Sequence, residues 1–156
     1  MWEERVIGRS INMKQAQYVV ETMLKAAMNP PEDPGNPYNS RLAFAVVDTA
    51  GTLVYFARMD AGSPLNSQVA INKAYSCIYN RQNTWEHEEF LKRLGHDMAS
   101  LGEPRLSLIP GGVLIRDRQG AIVGAIGLSG RPALEPMGDV ELANIGAKAF
   151  LECLDS

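Results

Sequence analysis

Two charged residues close a β-type run at positions that suit a small anionic ligand. Arg58 and Asp60 lie two residues apart, so their side chains project to the same side of an extended chain. Arg58 can clamp a carboxylate with two parallel hydrogen bonds, which is the geometry that guanidinium groups favour. A salt bridge between Arg58 and Asp60 that holds the strand end is the alternative. The sequence leaves both interpretations open.

Lys73 is the third candidate for chemistry. It stands on a predicted helix over 66–82, beside a stripe of small residues formed by Ala70, Ala74 and Cys77. A partly buried lysine loses its proton readily, so it can act as a base or nucleophile, or pair with an acidic ligand. The alternative is a lysine whose stem covers apolar surface while its charged end reaches water.

The C-terminal half contains two β-type runs that are flanked or interrupted by glycine, over 109–115 and 122–130. Glycines in strands indicate bulges or a close approach of the backbone to a ligand or to another element. We therefore predict ligand contacts at Gly111 and Gly112, with tight packing of a helix on the strands as the alternative. Ser129 lacks the histidine and acid of a nucleophilic serine, and is predicted to donate a hydrogen bond to a ligand.

Three further polar residues are predicted to bind a ligand. Ser63 stands at the break before the 66–82 helix, and Ser76 provides a hydroxyl on that helix. Glu103 lies in a proline-containing loop, as does Glu135. Such a carboxylate either lines a pocket or is a solvated surface charge, which is the more common case.

A metal centre is not predicted. The two histidines, His87 and His96, lie on one predicted helix, and nine residues at about 100° each place them on opposite sides of it. They cannot chelate one ion together, and neither has a cysteine or carboxylate at metal-ligand spacing. His87 is predicted to be a surface or capping residue. A single axial histidine for a heme remains open.

Length and charge restrict the class of protein. A chain of 156 residues is expected to form one domain over 1–156, and its net charge of −3 gives no basic surface for nucleic acid. The N-terminus lacks the apolar stretch of a signal peptide, and no segment is long enough to span a bilayer. We expect a cytoplasmic protein with no nucleic-acid or membrane partner.

The pattern of hydrophobic residues predicts alternating helices and hairpins. It predicts a helix over 11–28, a Pro-rich loop over 30–39 and a hairpin of 42–48 with 52–59. The 66–82 helix follows, and then a helix capped by Thr84, whose apolar face is formed by Leu91, Leu94, Met98 and Leu101. A second hairpin turns at 117–120, and Asp139 is predicted to cap the last helix. The prediction is an α+β domain with an antiparallel sheet and flanking helices.

The motifs, taken in order, resemble the GlcG/HbpS family. This family is also called heme-degrading-domain-like, and it includes the C-terminal domain of PduO-type corrinoid adenosyltransferases. The resemblance covers about 12–154 and rests on these residues: Val46–Asp48, Gly51, Arg58–Asp60, Lys73, Ala74, Pro110–Gly112 and Gly124–Gly130.

The elements predicted from the hydrophobic pattern run α, β, β, α, α, then two or three strands, then α. The five-stranded order α-β-β-α-α-β-β-β-α agrees with the profilin-like or PAS-like fold that the resemblance implies. The resemblance also implies a small-molecule ligand, with heme as a possible cofactor, and a homo-oligomer such as a tetramer or octamer. The chain departs from the family pattern in three places. Ser76 replaces a threonine, the 30–39 loop is longer than usual, and no histidine precedes His87.

Three functions are compatible with these residues. The first is a binding module for heme or a comparable cofactor, in a pocket between the sheet and the 66–82 helix. The second is a small isomerase, tautomerase or lyase for a carboxylate-bearing metabolite. In that enzyme Arg58 anchors the carboxylate, Lys73 or Asp60 moves a proton, and the N–H groups near Gly111 and Gly112 stabilise negative charge. The third is a purely structural or interaction domain.

Overall fold

The computed structural model of the protein describes residues 7–28 and 41–155. The predicted Pro-rich loop 30–39 lies outside these residues. The described residues form four α-helices and four strands. In chain order these are α1 (Met13–Met28), β1 (Ala43–Val47), β2 (Leu53–Arg58), α2 (Pro64–Asn80), α3 (Thr84–Leu94), β3 (Gly112–Arg116), β4 (Ile122–Ser129) and α4 (Asp139–Cys153). A short 3₁₀ helix, Met98–Leu101, lies between α3 and β3.

The α+β prediction is confirmed, but the prediction of five strands is wrong. The described residues form one antiparallel sheet of four strands in the order β2-β1-β4-β3. Between α3 and α4 there are two strands, β3 and β4, where a third was predicted. Next to the start of β4, Ile7 forms one isolated bridge with Ile122, and Ile11 N–H donates to the Val123 carbonyl (2.8 Å).

Both predicted hairpins are present, and an aspartate builds each turn. Asp48 Oδ1 accepts hydrogen bonds from the N–H groups of Ala50 and Thr52, and Asp117 Oδ1 does the same for the N–H groups of Gln119 and Ala121. Asp and Asn favour turns because their side chains bond to the backbone two residues on. These turns hold β1 against β2 and β3 against β4.

The sheet is covered on both faces. Helix α2 packs on one face, where the strand residues are mostly small, such as Ala43, Ala45 and Ala125. Helices α1 and α4 cover the other face over larger side chains, such as Phe44, Ile126 and Leu128. Because α2 meets small residues, its backbone lies close to the sheet.

Several helix ends differ from the prediction. The residue before α3 is Asn83, so Thr84 is the first helical residue and not the cap, and Gly138 precedes α4 in the position predicted for Asp139. Helix α3 also ends earlier than predicted, because Gly95 adopts φ = 71° and terminates it. Leu91 is buried, while Leu94 and Met98 are exposed.

Candidate functional site

The centre of the candidate site is a buried ion pair between α2 and α4. Lys73 Nζ donates to Asp139 Oδ2 at 3.2 Å and to the Leu128 carbonyl at 2.6 Å. Lys73 is only 1% exposed and Asp139 only 2%. The lysine therefore does not extend its charged end to water. Its partner Asp139 was predicted only as a helix cap, so the pair itself was not predicted.

Burial disfavours the charged form of both side chains in this pair. It lowers the pKa of the Lys73 amine and raises the pKa of the Asp139 carboxyl, while the attraction between the two charges opposes each shift. The backbone N–H of Arg131 donates to Asp139 Oδ1 at 3.1 Å. The Arg131 guanidinium binds the Met137 and Ala27 carbonyls, so it fastens the turn before α4 to the end of α1.

The two glycines predicted to contact a ligand lie close to protein atoms. A Cβ on Gly111, which has φ = 131°, would lie 2.8 Å from Lys73 Nζ and from the Leu128 carbonyl oxygen. The Gly112 N–H donates to Thr84 Oγ1 at 3.2 Å. This N–H group already has a hydrogen-bond acceptor within the protein, so it is not placed to stabilise negative charge on a substrate.

The predicted ligand-binding serines also have structural partners. Ser63 caps α2, where its Oγ accepts from the Asn66 N–H in a capping box. Ser76 is buried; its Oγ donates to the Asn72 carbonyl (2.7 Å) and accepts from the Ser107 N–H (2.8 Å).

Glu103 and Ser129 have separate surroundings in the described part of the chain. Glu103 forms an ion pair with Arg105 (Nε–Oε1 2.9 Å), and the hydrogen bonds from Arg105 lower the pKa of Glu103 to about 2. Ser129 is buried at the end of β4, opposite Ala43 of β1.

The interface between α2 and the sheet is closed by direct backbone contact. A Cβ on Gly127 would overlap the Ala70 carbonyl oxygen and lie 2.6 Å from the Ala74 nitrogen. A Cβ on Gly112 would lie 2.7 Å from the Lys73 carbonyl oxygen. The glycines thus permit tight packing, the alternative left open by the sequence. The predicted pocket between the sheet and this helix has no room at these positions.

Arg58 and Asp60 line a groove of about 290 Å³ at the β2 edge of the sheet. The other lining residues are apolar: Leu24, Met28, Phe44, Ala57 and Met59. Within the described part of the chain, Arg58 and Asp60 form no ion pair with each other, and Nη1 of Arg58 donates to the Gly62 carbonyl at 2.9 Å. Lys73 is not among the lining residues, so the three charged candidates do not share this groove.

A larger groove of about 450 Å³ lies beside α3, near the opposite edge of the sheet. We call it the α3 groove. It is bounded by α3, by the start of the 3₁₀ helix and by the segment before β3, with these lining residues: Glu88, Leu91, Lys92, His96, Asp97, Met98, Leu108, Ile109 and Pro110. This groove was not predicted, although the apolar run Leu108–Pro110 shortly before β3 was a usable signal.

The two histidines have different surroundings. His96 is exposed and lines the α3 groove. His87 is buried, so its prediction as a surface or capping residue is wrong, and burial lowers the pKa of its imidazole. His87 Nδ1 has no hydrogen-bond partner within the described residues. Of the two, only His96 can reach a ligand in the groove.

Residues 7–28 and 41–155 contain no group of three or more His, Cys, Asp or Glu side chains arranged to hold a metal ion. None of their helices combines the length and the apolar character needed to cross a bilayer.

Comparison with protein families gives one match that covers most of the chain. Residues 11–148 match the family model described as "Haem degrading protein HbpS-like". A curated relative from Citrobacter freundii, an uncharacterized 15.0 kDa protein from the dhaT-dhaS intergenic region, is 29% identical over 118 residues. That alignment covers 74% of this chain and 77% of the relative.

Several solved structures share the fold. The Klebsiella pneumoniae protein ORFY is 23% identical, with a TM-score of 0.75 over 96% of this chain and 97% of its own. A PduOC:heme complex is 18% identical, with a TM-score of 0.73 over 90% and 94% of the two chains. A double mutant of Streptomyces reticuli HbpS is 22% identical, with a TM-score of 0.72 over 95% and 92%.

Proposed function

The chain belongs to the Haem degrading protein HbpS-like family, and we propose that it is a small-ligand-binding protein whose ligand is heme or a related flat cofactor. The ligand lies in the α3 groove. The observation that carries this assignment is the presence of His96 and the Met98 side chain in one apolar groove. Histidine nitrogen and methionine sulfur are both established axial ligands of heme iron.

The size and lining of the α3 groove fit such a ligand. Its volume of about 450 Å³ lies within the usual range for small-molecule pockets, and Leu91, Leu108 and Ile109 provide apolar walls. When bound, heme supplies an iron centre for redox or small-molecule chemistry. The residues of this chain hold the macrocycle by apolar contact and offer a nitrogen or sulfur ligand at one side.

The propionate groups of a heme need a cation at the rim of the groove. Lys92 is the cation available for a propionate group, but it already pairs with Glu88 at 3.0 Å. This pair is largely exposed, and such pairs contribute at most about 1 kcal/mol. A propionate can therefore displace Glu88 at little cost.

A titration with hemin, followed by visible absorption, tests the location of the site. Ile109, 56% exposed, lines the groove, so Ile109→Glu places a charge on an apolar wall and should weaken hemin binding about tenfold or more. Leu134 is 80% exposed and lies outside the groove, so Leu134→Glu is a matched control that should bind as the parent does. Equal weakening by both variants, or by neither, would reject the α3 groove.

The enzyme interpretation gains no support from the same residues. Lys73 is enclosed by Asp139 and Leu128, and it does not line the groove of Arg58 and Asp60. A proton-transfer group must reach the substrate directly or through one water molecule. We therefore retain the binding function.

We also propose that the protein forms a homo-oligomer, a tetramer or octamer, as the family resemblance implies. The small-residue stripe of α2 is occupied by its own sheet, so it does not form the contact between copies. Exposed apolar side chains such as Met13 and Leu65 support an interface elsewhere. Light scattering after size-exclusion chromatography measures the mass, and a monomer at micromolar concentration would contradict the proposal.

A further inference from the structure

We propose that the groove at the β2 edge is a second ligand site, separate from the α3 groove, and that it takes a small apolar carboxylic acid. The two grooves share no residue, and β2 and β3 are the opposite edges of the sheet. We call the second one the Arg58 groove. An apolar floor with one cation at its side matches an apolar molecule that carries one negative charge.

The arginine is held in place before any ligand arrives. Its Nη1 donates to the Gly62 carbonyl at 2.9 Å, and its stem lies against Gly62, where an added Cβ would stand 2.7 Å from Arg58 Cγ. The turn itself is fixed, since Gly62 N–H donates to the Met59 carbonyl at 3.0 Å. A preorganised guanidinium loses less entropy when it binds a carboxylate.

The charge of Arg58 is available for such a ligand. No carboxylate pairs with it in the described residues, although Asp60 lines the same groove. The remaining N–H groups of the guanidinium can donate to both oxygens of a carboxylate. Asp60 repels the ligand carboxylate weakly and so reduces affinity. It does not occupy the N–H groups of Arg58 that the ligand would bind.

The apolar part of the groove defines the rest of the ligand. Phe44 is buried in the core and forms the floor, while Leu24 and the exposed Met28 extend from α1. At about 290 Å³, the volume suits a compact apolar group such as one aromatic ring. A heme is too large for this groove, so the proposed ligand differs in class from the ligand of the α3 groove.

Isothermal titration with 3-phenylpropionate tests this assignment, with 3-phenylpropylamine as the probe of opposite charge. The parent protein should bind the acid in the millimolar range or tighter and bind the amine at least about tenfold more weakly. Arg58→Gln should weaken binding of the acid about tenfold or more, because it removes the charge at an exposed position. Arg93→Gln is the matched control, because it removes the same charge at an exposed arginine that lines neither groove, and it should bind the acid as the parent does.

A second variant tests the apolar wall independently of Arg58. Met28→Glu places a carboxylate in the groove at an exposed helix end and should also weaken binding of the acid about tenfold. Hemin binding should stay unchanged in both variants, which separates this site from the proposed function. Absence of acid binding at about 10 mM, equal binding of acid and amine, or retention of binding in Arg58→Gln would each overturn the proposal.

Discussion

The Lys73 amine and the Asp139 carboxylate form a 3.2 Å ion pair in the interior of the protein, where α2 meets the first residue of α4. The lysine also donates to the last-but-one residue of β4, so three elements meet at one nitrogen. A buried pair of this kind fixes the relative position of the elements, although the removal of two charges from water offsets much of the attraction.

The first prediction concerns this pair. Lys73→Met should lower the free energy of unfolding by about 3–5 kcal/mol, because it leaves the Asp139 carboxylate buried without its cation. The double variant Lys73→Met/Asp139→Leu should cost much less than the sum of the two single changes. Urea unfolding of all four proteins measures the difference.

The exposed pair Lys92–Glu88 provides the control for that cycle. Its side chains are 71% and 39% exposed, so Lys92→Met should cost no more than about 1 kcal/mol. If the Lys73 and Asp139 effects were additive, the two side chains would not act as a pair, and the structural role assigned to them would be wrong.

The second prediction concerns the pH dependence of stability at Glu103. Its folded-state pKa of about 2 lies below the ordinary value of 4.5, because Arg105 donates hydrogen bonds to the carboxylate. Between these values the unfolded chain binds more protons, so stability rises with pH, and it is lost as the pH falls from about 4.5 towards 2. Glu103→Gln should flatten the dependence of the urea midpoint on pH in this window.

The matched control is Glu135→Gln, which changes an exposed carboxylate that forms no ion pair in the described part of the chain. It should leave the slope as in the parent protein. A parent-like slope in Glu103→Gln would show that other carboxylates cause the acid sensitivity.

The third prediction concerns the close approach of α2 to β4. Gly127→Ala places a Cβ against the Ala70 carbonyl oxygen, and a backbone atom cannot move aside as a flexible side chain can. We expect a loss at or above the upper end of the range of about 1–3 kcal/mol for overpacking. Thermal unfolding monitored by circular dichroism measures it.

Gly120→Ala separates this steric effect from backbone strain. Gly120 has φ = 83° in the second hairpin turn, with no other atom within 4 Å of an added Cβ. Its substitution should cost only about 1–2 kcal/mol, the penalty of a left-handed alanine. A smaller loss for Gly127→Ala than for Gly120→Ala would contradict the close packing of α2 on the sheet.

Local sequence patterns predicted the hairpins well, because a contact between residues close in sequence forms each turn. The aspartate turns at Asp48 and Asp117 need only the backbone within four residues, and both hairpins were predicted correctly. The strand count was wrong because an apolar run shows β-type character without showing whether it pairs in the sheet, and only β3 and β4 form between α3 and α4. The neighbours against which the glycines at 124 and 127 pack are distant in sequence and leave no local signal.

The candidate site was only partly predictable for the same reason. Arg58 and Asp60 do share a groove, as the two-residue spacing suggested. Lys73 was placed correctly at the packed side of α2, but its partner Asp139 lies 66 residues away. Gly95 ends α3 early, so Met98 lies beyond the helix and lines the α3 groove. The helical spacing of Leu91, Leu94 and Met98 had predicted a longer helix, and so the groove was not expected.

The most direct test of the proposed function is the visible and electron paramagnetic resonance spectrum of the hemin complex in the parent protein and in His96→Ala. The account predicts that the variant loses the imidazole-ligand signature, binds hemin about tenfold or more weakly, and regains the signature when free imidazole is added. His87 remains in the variant and is buried, so it cannot take over as the ligand. An unchanged spectrum and affinity in His96→Ala would contradict the assignment of the α3 groove as the heme site.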